Sequence, residues 1–435
     1  MSNMPLLDEA RFIAAVQRLA NHNPGGSVRS ETGDVGLSRL NGDSRLIARL
    51  LIDDLKHGSL PPEPGVPRFI KTEGKRRTVY QFEFCDQVIQ TVVAEWLRER
   101  ASAELSPALF SYRPGMASHQ AVHAAARYLV RHRRTRSDPR QRGVYVLRRD
   151  VKSYFDAVPV ADDGRVWTIL NGLLGTDGNP IEMDLVRRAV RPFIRIDERS
   201  AQLSRGLPTG SPVANEIANI YLAEMDRKLA QVSGGFYARY GDDVLAMHAE
   251  RTTATHMAEV LQCELEVSGL RWNEKKSLDL FLTAAGRPDR VGAGFAPAGE
   301  FEFLGHRIDG RGTVSLPAKK TRDFLDSLRR RALRAACEKN RTTERIRRIT
   351  TALNVALDPL EPAAHPMAKA IRNAVTDRGY LRWLDREIVV IAGSAASGSR
   401  GVRALRRVSP RDLYEKYGLR SVTAMRNALP VDGPS

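Results

Sequence analysis

The sequence predicts an α+β fold in which antiparallel strands pack on helices and a mostly helical region follows. Three observations lead to this prediction. The run "VYVLRRD", residues 144–150, has the apolar and β-branched residues of a buried strand. The stretch "FYARYGDDVLAMH", residues 236–248, is two apolar runs separated by Gly241-Asp242, a pattern typical of a tight hairpin. From Lys319 onward the chain has helical periodicity and a basic composition.

The first third of the chain predicts helices on both sides of a β-hairpin. Residues 1–60 read as two helices separated by the Gly/Asn/Pro-rich segment "NHNPGGSVRSETGD". The segment "FIKTEGKRRTVY", residues 69–80, predicts two short strands around a basic turn. The next segment, "DQVIQTVVAEWLRERASAEL", predicts a long helix.

The remainder predicts a helical interval, the hairpin, and a basic helical end. Residues 157–200 read as helical, "SRGLPTGSP" as a turn, and "VANEIANIYLAEMDRKLA" as one helix. A helix is predicted from Thr252 to about Val267, and "FEFLGHRI", residues 301–308, reads as one further strand. The segment "AGSAASGSRG", residues 392–401, predicts a flexible interruption of the helical end.

Composition narrows the classes of function. The 435 residues carry a net charge of +17, and residues 315–435 alone hold 25 Lys and Arg against 12 Asp and Glu. Such a surface favours a polyanionic partner, because each neutralised phosphate releases a counterion. The three cysteines fit neither a disulfide framework nor a zinc site. Without a long apolar run or a signal-like N-terminus, the chain is expected to be cytoplasmic and to have no membrane partner.

Carboxylates follow two of the predicted strands. Asp150 ends the strand at 144–150, and Asp242 and Asp243 lie at and just beyond the hairpin tip, 92 positions later. An Asp-Asp pair at a turn is by itself typical of a solvated loop. Acids gathered at one sheet edge, however, would repel one another unless divalent cations neutralised them, and Mg²⁺ prefers such oxygen ligands. In a basic protein this combination points to phosphoryl transfer on nucleic acid.

Five segments resemble, in order, the palm motifs of reverse transcriptases of the prokaryotic type, which includes group II intron, retron, diversity-generating and defence-associated enzymes. They are "RRDVKSYFDAV", "GLPTGSPVANEIANIYL", "RYGDD", "GLRWNEKKS" and "FEFLGHRI". Upstream, "KTEGKRRTVYQFEFCDQVIQ" and "LFSYRPGMASHQAV" are similar to the fingers motifs. The resemblance covers roughly residues 65–310 and implies a right-hand polymerase with fingers, palm and a helical thumb.

The resemblance also implies a domain division. It places an N-terminal helical extension at 1–64, fingers at 65–149, palm at 150–314 with part of the fingers at 157–200, a helical thumb at 315–391 and a basic C-terminal segment at 392–435.

The same resemblance implies roles for individual residues. Asp150, Asp242 and Asp243 would be the catalytic acids and, with the carbonyl of Val151, would bind two Mg²⁺ ions, with Mn²⁺ as the alternative. Lys276 would protonate the leaving pyrophosphate, although Lys275 is an alternative register. The residues implied in binding the nucleotide are Lys71, Arg77, Val151, Phe155, Pro208, Thr209 and Gly210. Those implied in contacting template or primer are Arg113, Asn215 and Gly305, with a structural role as the alternative for Arg113.

Phe155 is the residue on which sugar choice depends in this comparison. A bulky aromatic at this position implies exclusion of a 2′-hydroxyl and therefore selection of deoxynucleotides. The adjacent Asp156 keeps RNA synthesis open as an alternative, because viral RNA polymerases use an aspartate at similar spacing and also favour Gly-Asp-Asp. Thr209 departs from the glutamine common in the family, which shortens a contact to the nucleotide.

The implied partners are an RNA template, a DNA or RNA primer and deoxynucleoside triphosphates. The basic end of the chain predicts a grip on a structured RNA or on a second subunit, which would make an oligomer. Cysteine-rich finger, endonuclease and retron Val-Thr-Gly signatures are not found, so elimination favours antiphage defence with a dedicated noncoding RNA. A diversity-generating or intron-type enzyme, and an RNA-binding scaffold without catalysis, are the alternatives.

Overall fold

The computed structural model describes most of the chain, with gaps. The described residues are 5–22, 27–28, 35–36, 43–57, 65–72, 75–138, 142–174, 180–191, 193–196, 199–202, 204–283, 294–337 and 342–427.

Sixteen α-helices and fourteen strands lie within this described part. The helices are α1 Glu9–His22, α2 Ser44–His57, α3 Phe84–Ala101, α4 Ser118–Thr135, α5 Tyr154–Ala157, α6 Arg165–Leu174, α7 Pro180–Val190, α8 Pro212–Tyr221, α9 Ala223–Ala230, α10 Arg251–Val267, α11 Ala318–Ala336, α12 Thr342–Leu357, α13 Pro366–Ala374, α14 Arg378–Ser397, α15 Pro410–Glu415 and α16 Val422–Asn427. The strands are β1 Ser27–Val28, β2 Val35–Gly36, β3 Val66–Thr72, β4 Lys75–Gln81, β5 Val144–Asp150, β6 Phe193–Ile196, β7 Arg199–Gln202, β8 Phe236–Tyr240, β9 Asp243–His248, β10 Leu278–Leu282, β11 Ala296–Ala298, β12 Glu300–Phe303, β13 His306–Asp309 and β14 Val314–Ser315. None of the described helices is long and apolar enough to cross a membrane.

The chain divides into two compact units. Unit 1 comprises Met1–Met116, Leu147–Ala246 and Thr252–Leu278, and unit 2 comprises Ala117–Val146, Met247–Arg251 and Asp279–Ser435. A five-stranded sheet has the strand order β11-β10-β5-β9-β8. Three further antiparallel hairpins join β1 to β2, β3 to β4 and β6 to β7.

Unit 1 is built around helix α3, which packs against α1 and α8. Helix α3 buries Val88 and Val92 on one face and Leu97 on the opposite face, as expected for a helix enclosed by other elements. Helix α8 begins where Ser211 accepts a hydrogen bond from the amide of Ala214 (3.4 Å), with Pro212 in the first helical position. These caps fix the start of the helix next to the predicted "GLPTG" turn.

Unit 2 has a small sheet and a bundle of helices. Strands β12, β13 and β14 form an antiparallel sheet. Helix α11 packs on α12 and α14, and its apolar stripe of Phe324, Leu328 and Ala332 is fully buried in their common core. Arg329, Arg330 and Arg334 of the same helix are exposed.

Several predicted elements differ from the structure. The interval 157–200 is not helical throughout, because the hairpin β6–β7 ends it. The predicted helix at 213–230 is two helices, α8 and α9, which meet at Leu222. The predicted strand at 301–308 is a hairpin, since Leu304 and Gly305 both adopt positive φ angles (47° and 74°) and reverse the chain.

The predicted flexible interruption at 392–401 is also wrong. Helix α14 continues through these small residues to Ser397, and Ala392, Gly393 and Ala396 are buried in the unit 2 core. Small residues here allow close packing, and the helix ends only where Gly398 takes a positive φ of 69°. The predicted boundary between residues 391 and 392 therefore falls inside a helix.

Candidate active site

The hairpin β8–β9 carries two of the predicted acids. Gly241 has a φ of +63°, which a glycine adopts without strain, and with Asp242 it forms the connection between the strands. Asp243 is the first residue of β9. The sequence prediction of a hairpin with one acid in its turn and the next just beyond it is confirmed.

The end of β5 lies directly beside this turn. The amide of Val151 donates to the carbonyl oxygen of Asp242 (2.9 Å), and Val151 also forms an isolated antiparallel bridge with Trp272. The carbonyl oxygen of Asp150 accepts from the amide of Asn273 (2.7 Å). Backbone hydrogen bonds thus hold the turn, the end of β5 and the segment after α10 together.

The side chain of Asp150 is buried, and each of its two carboxylate oxygens has a partner in unit 1. Its Oδ1 accepts from Asn273 Nδ2 (3.0 Å), and its Oδ2 forms an ion pair with Lys276 Nζ. Lys276 is 42% exposed, whereas the Asp150 side chain is 4% exposed. Between the two registers predicted for the lysine, the structure places Lys276 at the acid, and Lys275 is exposed.

The acids act on one another electrostatically. Burial raises the pKa of Asp242, and the negative charge of Asp150 raises it further, while Lys276 and Arg77 oppose the rise. Burial raises the pKa of Asp243 to about 6, with a further contribution from Asp242, and Arg148, whose Nη2 lies 3.9 Å from Asp243 Oδ1, opposes it. The three carboxylates therefore repel one another, and a bound cation would reduce that repulsion.

The donor chemistry of this cluster suits a hard divalent cation, since it offers carboxylate oxygens, and burial together with the neighbouring acids raises the pKa values of Asp242 and Asp243. Among the residues that the structure describes, no three or more His, Cys, Asp or Glu side chains are arranged as a ready ligand set. In this structure the ammonium group of Lys276 is paired with one carboxylate oxygen of Asp150.

A cluster of aromatic side chains lies next to the β8–β9 turn. Phe155 is half-buried and makes edge contacts with Tyr112 and Tyr154, with ring centroids 6.3 Å and 6.0 Å away. Tyr112 also packs on Tyr240 (6.5 Å) and has a positive φ of 53°. Tyr112 was not predicted from the sequence, although it lies within the "SYRPG" motif.

The predicted nucleotide-binding turn at 208–210 is bound to two other elements of unit 1. The amide of Tyr80 in β4 donates to the carbonyl oxygen of Thr209 (2.7 Å). The amide of Leu207 donates to the carbonyl oxygen of Phe155 (2.6 Å). Gly210 has a φ of +111°, and a β-carbon there would lie 2.5 Å from the Tyr80 carbonyl oxygen. Pro208 is buried. The structure therefore brings the turn together with Phe155 and with the hairpin that carries Arg77.

The remaining predicted residues have varied settings. Arg77 is exposed on β4 and pairs with Ile70 across the hairpin, and Lys71 pairs with Arg76, but the Lys71 side chain lies outside the described part. Asn215 is half-buried on α8. Gly305 belongs to unit 2, where it turns β12 into β13 and a β-carbon would meet Lys320 Nζ at 2.2 Å.

Arg113 makes structural hydrogen bonds. Its Nη1 donates to the carbonyl oxygens of Ser106 (2.9 Å) and Leu109 (3.3 Å), within its own loop. The amide of Phe110 in the same loop donates to the carbonyl oxygen of Arg239 (2.9 Å). Of the two roles predicted for Arg113, the structure displays the structural one.

A protein-family model matches residues 66–308, more than half of the chain, and describes the family as reverse transcriptase (RNA-dependent DNA polymerase). The chain belongs to the reverse transcriptase family. This confirms the predicted resemblance to reverse transcriptases in general and the predicted fold class, a right-hand polymerase with an α+β fingers and palm part and a mostly helical region after it. No curated protein sequence gives a significant match.

Many solved structures align with this reverse transcriptase. Apo telomerase from Candida tropicalis truncated from its C-terminal domain aligns with a TM-score of 0.46 and 10% identity, over 70% of this chain and 59% of that chain. The apo telomerase of the same species without that truncation aligns with a TM-score of 0.44 and 10% identity, over 92% of this chain and 71% of that chain. Telomerase from Candida tropicalis in complex with a TWJ fragment of telomeric RNA aligns with a TM-score of 0.45 and 11% identity, over 93% of this chain and 71% of that chain. The alignment thus spans less than two thirds of the truncated telomerase.

One part of this reverse transcriptase's site was missed in the sequence. Arg239 is fully buried and forms a two-pronged ion pair with Asp226, with Nε to Oδ1 at 2.7 Å and Nη2 to Oδ2 at 2.6 Å. Arg239 also donates to the carbonyl oxygens of Asn219 (2.9 Å) and Gly241 (3.3 Å). The pair ties the β8–β9 turn to helices α8 and α9. An arginine within an apolar strand was the available signal, because a buried charge requires a partner.

Proposed function

We propose that this member of the reverse transcriptase family is an active RNA-directed DNA polymerase. It would join a primer 3′-hydroxyl to the α-phosphate of a deoxynucleoside triphosphate and release pyrophosphate. The observation that carries the proposal is that the end of β5 lies beside the β8–β9 turn. There the amide of Val151 donates to the carbonyl oxygen of Asp242, and the carboxylates of Asp150, Asp242 and Asp243 interact electrostatically. The family match supports the reaction class.

Asp150, Asp242 and Asp243 are the residues that would hold Mg²⁺ or Mn²⁺, with the carbonyl of Val151 beside them. When bound, two such ions supply charge neutralisation at both the attacking and the leaving oxygen of an in-line phosphoryl displacement. Lys276, which is half-exposed and ion-paired with Asp150, would give a proton to the departing pyrophosphate. Arg77 presents an exposed planar cation suited to phosphate oxygens, and the hydrogen bond from the amide of Tyr80 to the carbonyl oxygen of Thr209 holds the strand that carries it.

Asp242→Asn tests the proposal directly. The variant should lose deoxynucleotide incorporation on a primed RNA template while its affinity for that RNA is retained, because the change removes one negative charge and little volume. Asp163→Asn, an exposed aspartate of the same unit, is the matched control and should leave incorporation unchanged. Full incorporation by Asp242→Asn would show that the reaction does not depend on these acids.

Sugar choice is a separate part of the proposal. Phe155 is half-buried against Tyr112 and Tyr154, so its ring is held by neighbours on two sides. Phe155→Ala should reduce the preference for deoxynucleotides over ribonucleotides by about 10–200-fold, the range that one apolar contact gives in discrimination. Tyr112→Phe, which keeps the supporting ring, should leave the preference intact.

RNA synthesis is the competing outcome of the same assay. Asp156 is exposed one residue after Phe155, where it is available to a 2′-hydroxyl. Wild-type protein supplied separately with ribonucleotides and deoxynucleotides should extend only with the latter. Preferential ribonucleotide incorporation would assign the chain to RNA synthesis instead.

For the biological role we infer antiphage defence by a prokaryotic enzyme acting on a dedicated structured noncoding RNA. The support is the basic composition of residues 315–435 and the elimination of other classes by their missing signatures. Sequencing the RNA that co-purifies with the protein should return one abundant structured species. Phage plating on cells that carry wild type or Asp242→Asn separates a catalytic role from a scaffold, because a scaffold would protect equally in both.

A further inference from the structure

A cavity of about 640 Å³ lies on unit 2 around the short 3₁₀ helix Gly401–Arg406. Four of its six lining residues are arginines. The lining residues are Ser399, Arg400, Val402, Arg403, Arg406 and Arg407. No acidic side chain lines it.

The 3₁₀ helix is anchored on its inner face. Ala404 is fully buried and Val408 is 6% exposed, and both follow α14 in the chain. Leu405 packs on the unit 2 core and reaches Gly393 of α14, where a β-carbon would lie 3.1 Å from Leu405 Cδ2. The absence of a side chain at Gly393 therefore permits this close approach. The backbone that carries the arginines is held firmly against the bundle.

The arginines occupy the outer face with a regular spacing. Arg400, Arg403 and Arg406 recur every three residues, with Arg400 extended just before the 3₁₀ helix and Arg403 and Arg406 within it. Side chains three apart in a 3₁₀ helix lie nearly above one another, so at a rise of about 2.0 Å per residue Arg403 and Arg406 are separated by about 6 Å along the axis of this row. That separation is similar to the one between neighbouring phosphates of a nucleic-acid strand. Arg407 adds a fourth exposed guanidinium.

The charge of this row is not neutralised within the described part of unit 2. Residues 388–411 contain no Asp or Glu, and none of the four arginines forms an ion pair with a described residue. Nearby arginines differ, since Arg411 pairs with Glu415 (2.8 Å) and Arg420 pairs with Asp358. Four like charges held together without counterions store repulsion, which a polyanion would relieve.

We propose that this arginine row is a binding site for the phosphate backbone of RNA. Guanidinium groups suit phosphate because their planar forks match two oxygens at once. Val402, 73% exposed, is the one apolar residue of the cavity wall, which is too little to insert into a lipid surface. The choice of RNA among polyanions rests on the proposed function, whereas the site itself depends only on the geometry of unit 2.

The test measures RNA affinity without polymerisation. A fluorescently labelled RNA hairpin is titrated with full-length Asp242→Asn protein, and with the same protein carrying Arg403→Gln, Arg406→Gln and Arg407→Gln, at several salt concentrations. The triple change should weaken binding at least about tenfold and flatten the salt dependence, since each lost phosphate contact lowers the slope by about 0.7–0.9. Replacing the same three arginines with lysine should keep most of the slope.

A control of equal charge comes from paired arginines. Arg227→Gln, Arg329→Gln and Arg411→Gln remove three charges that already have carboxylate partners, at 2.6 Å, 2.6 Å and 2.8 Å. If this control weakens RNA binding as much as the row variant, net charge explains the effect and the site is refuted. Unchanged RNA binding by the row variant also refutes the site, whether or not that variant has lost binding to phosphatidylserine vesicles. Circular dichroism spectra confirm that each variant is folded, and failure of polymerisation in wild type would leave this binding result intact.

Discussion

Lys276 Nζ forms an ion pair with the buried carboxylate of Asp150, the acid that ends strand β5. The lysine comes from the segment after α10, 126 positions later in the chain. The cation thus holds in place the acid that is proposed to bind metal, and it is the residue that we propose as the proton donor to the leaving group.

Lys276→Met should therefore have two effects. Incorporation should fall by about 10²–10⁴-fold, the contribution of a positioned general acid. Without the ammonium group, Asp150 and its neighbours should also depend more on divalent ions, so that Mg²⁺ raises the melting temperature more than it does in wild type. Both are measured on purified protein, by primer extension and by thermal unfolding with and without Mg²⁺. Lys275→Met, the exposed neighbour, should change neither quantity, and equal losses in both variants would contradict the assignment.

The buried pair of Arg239 and Asp226 should be essential for the stability of unit 1. Removing one partner leaves an unpaired buried charge, so Arg239→Met or Asp226→Asn should lower the free energy of unfolding by about 3–5 kcal/mol. Arg239→Lys should not restore it, because an ammonium group cannot form the two-pronged pair. Urea denaturation measures each value. Arg227→Gln, an exposed arginine on the same helix as Asp226, should leave stability unchanged.

Gly210 should tolerate no side chain. Its φ of +111° disfavours other residues, and a β-carbon would press on the Tyr80 carbonyl oxygen at 2.5 Å. Gly210→Ala should cost about 1–3 kcal/mol in stability and raise the KM for deoxynucleotides, because the turn and β4 must separate. Gly172→Ala is the contrasting control, since that exposed helical glycine has open space around it and alanine should stabilise α6 by about 0.5–1 kcal/mol. Urea denaturation and steady-state kinetics distinguish the two outcomes.

The stability of unit 2 should decrease in mild acid. Burial lowers the pKa of His306, His123 and His119 below their ordinary value of 6.5, and His306 Nδ1 donates to the carbonyl oxygen of Leu304 (3.0 Å). Lys320 adds to the effect on His306. Because the unfolded chain then binds more protons than the folded one, stability is complete above pH 6.5 and falls as the pH drops from there toward the folded pKa values.

Urea denaturation at a series of pH values measures this dependence. His306→Gln removes one titrating group and should make the slope below pH 6.5 shallower. His256→Gln, exposed on α10 in unit 1, should leave the slope as in wild type. A slope unaffected by His306→Gln would show that other groups cause the acid sensitivity.

Local patterns predicted the elements that form from neighbouring residues. The alternation of apolar residues around Gly241-Asp242 identified the hairpin, and the "VYVLRRD" run identified β5, because backbone conformation there depends mainly on adjacent side chains. The same reasoning failed at 392–401, where small residues suggested flexibility. Tertiary packing decides that segment, since the absence of a side chain at Gly393 and the small side chains of its neighbours let α14 approach other parts of unit 2.

The sequence by itself determined the reverse transcriptase family, the α+β class and the positions of three acids at the end of β5 and in the β8–β9 hairpin, because ordered motifs and strand ends are local properties. Only the tertiary structure decided which groups balance those acids. Lys276 and Asn273 at Asp150, Arg148 at Asp243, and the Arg239–Asp226 pair under the turn come from distant positions, and their partnerships depend on burial. A charge in a folded interior must find its partner in space, and spacing along the chain does not specify that partner.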